Sequence, residues 1–264
     1  MKDKILSHLS ASHPWRGNIH YYTQLDSTNN EAKRMAAMGA PHGTAIVAGS
    51  QTGGRGRMGR SFHSPADSGI YLSVIIRPQC AAEKIMHLTC ATAVAAAEAL
   101  EAVIGQPVDI KWTNDLVIER KKLGGILTEL SLNPQGTVDY AVIGIGVNCH
   151  QDRQDFPPEI ADIATSVFLS CGQHFPTESM VAAILSALEQ MCGQLESPSE
   201  ILACYRKKCI TLGQEISLLR ANEVHHGRAL DVDEQGALTV QFHDGHTEKV
   251  QSVEVSVRGM YGYI

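Results

Sequence analysis

Aromatic side chains are scarce, at 5% of 264 residues. The core must therefore be built from Leu, Ile, Val and Ala on both helices and strands. Basic charge is not in excess either: 22 Lys and Arg stand against 28 Asp and Glu, a net charge of -6. That balance excludes a general affinity for polyanions, so any anion site must be a local concentration of positive charge. The seven cysteines form no C-x-x-C pair and are odd in number, as expected of reduced thiols in a cytoplasmic protein. Residues 1–15 hold no uninterrupted apolar run, which argues against a secretory signal. Thr89 to Gly105 is the most apolar helix-length stretch, but it carries Glu98 and Glu101 and is too short to span a bilayer. It reads as a core helix, and no membrane partner is expected. His225-His226 and His243-x-x-His246 have no Cys or carboxylate at ligand spacing, so they read as surface histidines and no protein-held metal is expected. Internal repeats and low-complexity tracts are absent.

What is present, 44% hydrophobic residues, is enough for one large domain or two smaller ones. Asn18 to Leu25 reads as a strand, and Thr28-Asn29-Asn30-Glu31 as a capping box opening a helix that stops at Gly39. Gly43 to Gly49 is a buried strand, Ile70 to Arg77 another, and Ala82 to Ile104 a helix closed by Gly105. Val108–Trp112, Leu116–Glu119, Leu123–Ser131 and Thr137–Val147 are separated by turn residues and predict an antiparallel meander. Helical periodicity then runs from Pro157 to Cys209, broken at Ser197-Pro198. Beyond Gly213, short strands punctuated by Gly227, Gly236, Gly245 and Gly259 predict a small barrel of about 50 residues. The expected division is residues 1–210 and 211–264.

Between the second and third strands, Ser50 to Ser68 is a long loop holding Gly53-Gly54-Arg55-Gly56-Arg57-Met58-Gly59-Arg60, and no acidic residue stands between Glu31 and Asp67. Glycines let backbone N–H groups approach an oxyanion, and guanidinium forks supply bidentate bonds to phosphate or carboxylate. The stretch also spells G-x-G-x-x-G and comes one residue from a P-loop, but both motifs require a helix directly after the glycines. Phe62 to Gly69 is a turn sequence leading into a strand, so neither applies. A second cluster is Lys111-Trp112-Thr113-Asn114-Asp115, followed seven residues on from Asp115 by Lys122-Leu123-Gly124-Gly125-Ile126. A hairpin would bring Lys111, Asn114, Asp115 and Lys122 to one side of the sheet, with Lys122 as an isolated ammonium open to an anion. Gly144-Ile145-Gly146-Val147-Asn148 ends a buried strand. It suits either a purine or ribose edge or a tight packing contact.

Together with Ser27-Thr28-Asn29 and Gln51, these five segments resemble, in order and approximate spacing, the biotin protein ligases, and the likeness covers nearly the whole chain. The resemblance implies an α+β catalytic domain similar to class II aminoacyl-tRNA synthetases, with a mixed sheet, followed by a small SH3-like barrel. It implies ATP-dependent conversion of biotin to biotinyl-5'-AMP and transfer of biotin to a lysine of a biotin carboxyl carrier domain. On that likeness Ser27, Thr28, Asn29, Gln51, Gly54, Gly56 and Gly125 belong to the biotin side, with Arg55, Arg57 and Lys122 at its carboxylate. Arg57, Arg60, Phe62, Lys111, Asn114, Asn148 and Arg258 belong to the ATP side, with Mg2+ held through the ATP phosphates. Lys122, Arg55, Arg57 and Asp115 are the expected catalytic groups, Asp115 orienting the attacking amine. The chain departs from the family pattern at Met58, where arginine is frequent, at Phe62, where tryptophan is, and at Thr113, where proline is. About 17 residues precede the first strand, which leaves no place for the helix-turn-helix of many relatives, so no DNA partner is expected. A homodimer through exposed strand edges is compatible with the fold. The rival readings are a lipoate or octanoate ligase or transferase, and a non-catalytic biotin sensor.

Overall fold

The structure is a computed structural model that describes residues 1–220, 223–252 and 256–259. Its first strand, β1 (Ile19–Tyr22), lies parallel to β2 (Thr44–Ala48). Parallel neighbours need a crossover, and α2 (Thr28–Ala37) supplies it. The remaining strands of this sheet, β3 (Gly69–Ile76), β4 (Asp109–Lys111), β5 (Asp115–Ile118), β6 (Lys121–Leu132) and β7 (Val138–Asn148), pair antiparallel in the order β1-β2-β3-β7-β6-β5-β4. The meander is as its turn residues predict. The two-residue turn between β5 and β6 is Glu119-Arg120, both with positive φ, the geometry of a tight hairpin.

Alternation divides the sheet into two unlike faces. Leu72, Val74, Ile143, Ile145 and Ile126 join the main core with the alanines of α3 (Leu88–Ile104) and with α5 (Thr177–Cys192). α1 (Lys2–His8) and α6 (Ser199–Lys208) pack around these helices. The apolar stretch Ala82–Ile104 is mostly buried inside the protein. On the opposite face, Ile46, Ile75 and Val142 pack against Ala32 and Ala36 of α2 in a smaller cluster edged by Tyr22, Leu25, Met35, Ala40 and Tyr140. α2 covers part of that face and leaves the rest for the site.

The helix start differs from the expected capping box. Ser27 is the cap position of α2 and makes no side-chain cap bond. The Thr28 hydroxyl reaches Gln51 and Ser73, while Glu31 binds Arg34 and Tyr22. These tertiary partners compete for the groups that would have closed the box. After the short helix α4 (Val167–Cys171), α5 and α6, the chain forms an antiparallel sheet. Its strands are β8 (Glu215–Arg220), β9 (Glu223–Val232), β10 (Leu238–Phe242), β11 (Thr247–Val250) and β12 (Ser256–Gly259), in the order β11-β10-β9-β8-β12. Gly236 and Gly245 take the positive φ expected of turns. Gly227 and Gly259 instead lie within strands β9 and β12. At Gly227 a Cβ would stand 2.6 Å from the Gln241 carbonyl oxygen, so glycine there lets two strands approach closely.

Candidate active site

A row of paired residues crosses five strands on the face that α2 leaves open: Tyr71, Gly146, Gly125, Asp115 and Lys111. The adjoining row is Ser73, Gly144 and Leu127. Directly opposed residues point to the same side of a sheet, so the glycines form a low floor between polar groups. Strict alternation from Gly125 would turn Lys122 to the other face. A β-bulge intervenes, because Leu116 pairs with Gly124 while Val117 pairs with Lys122. The extra residue, Leu123, drops into the core, and Lys122 returns to the face of Asp115.

Above this floor lies a cavity of about 590 Å³, within the range of small-molecule sites. Ser27, Thr28, Asn29, Gln51, Arg55, Gly56, Arg57, Arg60, Phe62, Lys111, Asn114, Asp115, Lys122, Gly125 and Asn148 all line it. Gly54 does not. It is buried beneath the loop, where a Cβ would be 2.4 Å from the Phe62 carbonyl oxygen and 2.6 Å from Ser64 Oγ. Its role is to let the two legs of the loop meet. Val257 on β12 also lines the cavity, whereas the side chain of its neighbour Arg258 lies outside the described residues.

The glycine-arginine loop is ordered by cross-links between its legs. Phe62 N–H donates to the Gly54 carbonyl at 2.9 Å and Gly56 N–H to the Arg60 carbonyl at 2.7 Å. Met58 at its tip takes the left-handed conformation, φ 55°, within a 3-10 turn over Arg57–Gly59, and no α-helix follows the glycines: the chain reaches β3 through a turn at Ala66–Asp67. Arg57 Nη1 donates to Asn114 Oδ1 at 2.8 Å, and Nη2 donates to the Ser252 carbonyl of the C-terminal sheet. Burial pushes the Arg57 guanidinium pKa down, with the Asp115 charge opposing it. Arg55 Nη1 donates to Asn30 Oδ1 at 3.0 Å and to Glu129 Oε1 at 3.3 Å.

Lys122 is not the isolated ammonium expected from its spacing, since Nζ is 2.5 Å from Asp115 Oδ1. The chain after β7 also holds its backbone: Lys122 N–H donates to the Ile163 carbonyl, and Lys122 O accepts from Thr165 N–H, each at 2.8 Å. Asn114 Nδ2 donates to the Ile126 carbonyl at 2.9 Å, and Asn148 Nδ2 to the Thr165 carbonyl at 3.0 Å. Both glycines of Gly144-Ile145-Gly146 make tight packing contacts. A Cβ would stand 2.1 Å from Asn29 Oδ1 at Gly144 and 2.6 Å from the Phe62 ring at Gly146.

At the α2 end, Thr28 N–H and Oγ1 donate to Gln51 Oε1 at 2.8 and 3.2 Å, and Gln51 Nε2 donates to Ser64 Oγ at 2.9 Å. Ser73 Oγ lies 2.8 Å from Thr28 Oγ1 and 2.6 Å from Asn29 Oδ1. The cavity thus has neutral donors and acceptors at one end and the cations Arg57, Lys111 and Lys122 at the other. Sequence reasoning missed one wall of it, formed by Phe156, Glu159, Ile160, Ile163 and Ala164. The sequence reads this segment as the start of a helical run from Pro157, but no helix forms from there until Val167; backbone bonds to Lys122 and the Asn148 bond to the Thr165 carbonyl hold it against the sheet instead. Glu129 was missed as well. It looks like an ordinary strand acid, yet it receives Asn29, Lys33 and Arg55. Burial pushes its carboxyl pKa up, but the hydrogen bonds from Lys33 and Asn29 and the nearby cationic charges hold it below the ordinary range.

Residues 21–148 match the biotin/lipoate A/B protein ligase family, and residues 211–258 match the biotin protein ligase C terminal domain. The bifunctional ligase/repressor BirA of Bacillus subtilis is 34% identical over 242 residues, covering 91% of this chain and 74% of that protein. The biotin–acetyl-CoA-carboxylase ligase of Mycobacterium tuberculosis is 30% identical over 255 residues, covering 94% and 91%. A biotin protein ligase from Aquifex aeolicus, solved in complex with biotin and ATP, superposes with a TM-score of 0.79 at 28% identity, covering 92% of this chain and 99% of that one. Matches to both segments, with similarity along nearly the whole length, place this chain in the biotin protein ligase family.

Proposed function

We infer that this chain activates biotin with ATP and transfers it to a carrier lysine. The observation that carries this reading is the polarity of one cavity, with neutral hydrogen-bonding groups at one end and cations at the other, in a member of a ligase family. We assign Ser27, Thr28, Asn29 and Gln51 to the ureido ring of biotin, and Arg55, Gly56, Arg57, Lys122 and Gly125 to its carboxylate end. Arg57, Arg60, Phe62, Lys111, Asn114, Asn148 and Arg258 are assigned to the nucleotide.

The carboxylate of biotin and the α-phosphate of ATP repel each other, so their approach requires flanking positive charge. Lys122 and Arg57 supply it. A carboxylate oxygen attacks the α-phosphorus, pyrophosphate leaves, and the mixed anhydride biotinyl-5'-AMP forms. The loop over the cavity shields that anhydride from water. In the second step the ε-amine of a carrier lysine attacks the acyl carbon, AMP leaves and an amide forms. Asp115 orients the amine. Asp115 and Glu159 are the carboxylates that line the cavity, and Mg2+ bound to the ATP phosphates would neutralise part of their charge. Among the described residues, no group of three or more His, Cys, Asp or Glu could hold a metal ion.

The finer architecture belongs to the same reading: a class II synthetase-like catalytic domain over residues 1–210 and an SH3-like barrel over residues 211–264. So do a carboxyl carrier domain as partner, a homodimer through strand edges, and a cytoplasmic location suited to seven unpaired cysteines. The family description also names lipoate, so the test is ATP–pyrophosphate exchange with biotin, lipoate or octanoate supplied singly. Exchange with biotin alone is expected. Exchange with lipoate or octanoate moves the substrate assignment, and biotin binding without exchange makes the chain a sensor.

A further inference from the structure

Glu129 lies on β6, bonded to Asn29 and Arg55 of the cavity lining, and its two oxygens hold three elements together. Oε2 accepts from Asn29 Nδ2 of α2 at 2.9 Å, while Oε1 accepts from Lys33 Nζ at 2.9 Å and from Arg55 Nη1 of the loop at 3.3 Å. An ionised carboxylate only accepts hydrogen bonds, so it can face only the Nδ2 end of the Asn29 amide. Asn29 Oδ1 is thereby turned toward Ser73 Oγ, 2.6 Å away. From Ser73 the chain of bonds continues through Thr28 and Gln51 to Ser64. Ser64 Oγ in turn donates to the Phe62 carbonyl at 2.9 Å. The carboxylate, with the Leu127 carbonyl that also accepts from Asn29 Nδ2 at 3.3 Å, therefore sets the sense of the Asn29 amide and of the Ser73 hydroxyl, while the Gln51 amide is fixed by Thr28 N–H; through Arg55 the carboxylate also holds the near leg of the loop. Among the described residues only Nη1 of Arg55 makes these bonds, which leaves its Nη2 and Nε to face a second anion.

We propose that Glu129 is a positioning residue for the carboxylic acid substrate, fixing the sense of the Asn29 amide and pinning one corner of the Arg55 guanidinium. The proposal rests on the assignment of this half of the cavity to biotin. A glutamine at 129 can offer either an oxygen or an NH2 group, so only the longer bond to the Leu127 carbonyl still favours the native sense of Asn29, and its attraction for Arg55 is weaker.

The test is calorimetric titration of Glu129→Gln with biotin and with biotinamide, whose neutral carboxamide replaces the carboxylate. Biotin is expected to bind about tenfold more weakly, the scale of one misplaced charge-assisted bond, and biotinamide to lose less because it does not depend on Arg55. Lys33→Met removes the third partner of Glu129 without touching Asn29 or Arg55, and is expected to bind biotin as the parent does. Should Glu129→Gln fail to fold, Glu129→Asp keeps the charge at a shorter reach and is expected to weaken biotin more than biotinamide. Wild-type affinity in Glu129→Gln, equal losses for the two ligands, or an equal loss in Lys33→Met would each overturn the proposal. Gln51→Ala and Arg55→Ala separate the two readings. If neither weakens biotin, the site assignment fails; if both do and Glu129→Gln does not, only the role of Glu129 fails.

Discussion

Lys122 and Asp115 stand 2.5 Å apart, opposite charges on one face because a bulge turned the lysine back toward its partner. The two should nevertheless separate kinetically. Removing the ammonium with Lys122→Ala takes away positive charge where two anions must meet. ATP–pyrophosphate exchange should fall about 10²- to 10³-fold, as when one transition-state donor is lost. The lysine side chain is about one-third exposed and outside the core, so thermal unfolding should change little. Asp115→Asn keeps the cation and removes the group assigned to the incoming amine. Single-turnover transfer from supplied biotinyl-5'-AMP should slow much more than exchange. Equal slowing of both steps would remove Asp115 from the second step.

The loop and the strands beneath it show why some elements are readable and others are not. The meander could be read because apolar strands alternate with turn residues within a few positions of each other. The arginine loop stood out because cations and glycines gather without an acid among them. The bulge at Leu123 could not be read, since nothing in Lys122-Leu123-Gly124-Gly125 says which residue lacks a partner across the sheet. Nor could the wall from Phe156 to Ala164, whose place depends on backbone bonds to Lys122 across about forty residues of sequence. Glu129 was hidden because an acid on a strand looks solvent-facing until α2 and the loop are folded over it. The loop's own order is testable through Gly54, where an added Cβ would meet the Phe62 carbonyl oxygen at 2.4 Å. Overpacking of this kind costs about 1–3 kcal/mol. In Gly54→Ala the legs should part more often, and limited trypsin digestion at Arg55, Arg57 and Arg60 should quicken about tenfold or more. An unchanged cleavage rate would mean that the contacts at Gly54 do not order the loop.

The C-terminal sheet is seated on the catalytic body by the same motif that lines the cavity. Trp112 donates its indole N–H to the Gly236 carbonyl at 3.0 Å, at the turn between β9 and β10, and its backbone N–H to Thr211 Oγ1 at 2.9 Å. Arg206 of α6 adds bonds to the Val232 carbonyl at 2.5 and 3.0 Å, and Arg57 reaches Ser252 from the loop. Lys111 and Asn114, on either side of Trp112 and Thr113, line the cavity, so the seat of the sheet and the site are built on one short segment. Trp112→Phe keeps an aromatic ring in the buried position but removes the indole donor together with part of the ring volume. The buried Gly236 carbonyl then loses its partner, a cost of about 1–3 kcal/mol. In a chain of this size each kcal/mol lowers Tm by about 2–4 °C. Calorimetry should therefore show Tm reduced by several degrees, with the C-terminal sheet melting first if the seat is what couples the two parts. A transition unchanged in midpoint and shape would show that the indole bond does not fasten the sheet, and would leave Arg206 and Arg57 as its fastenings.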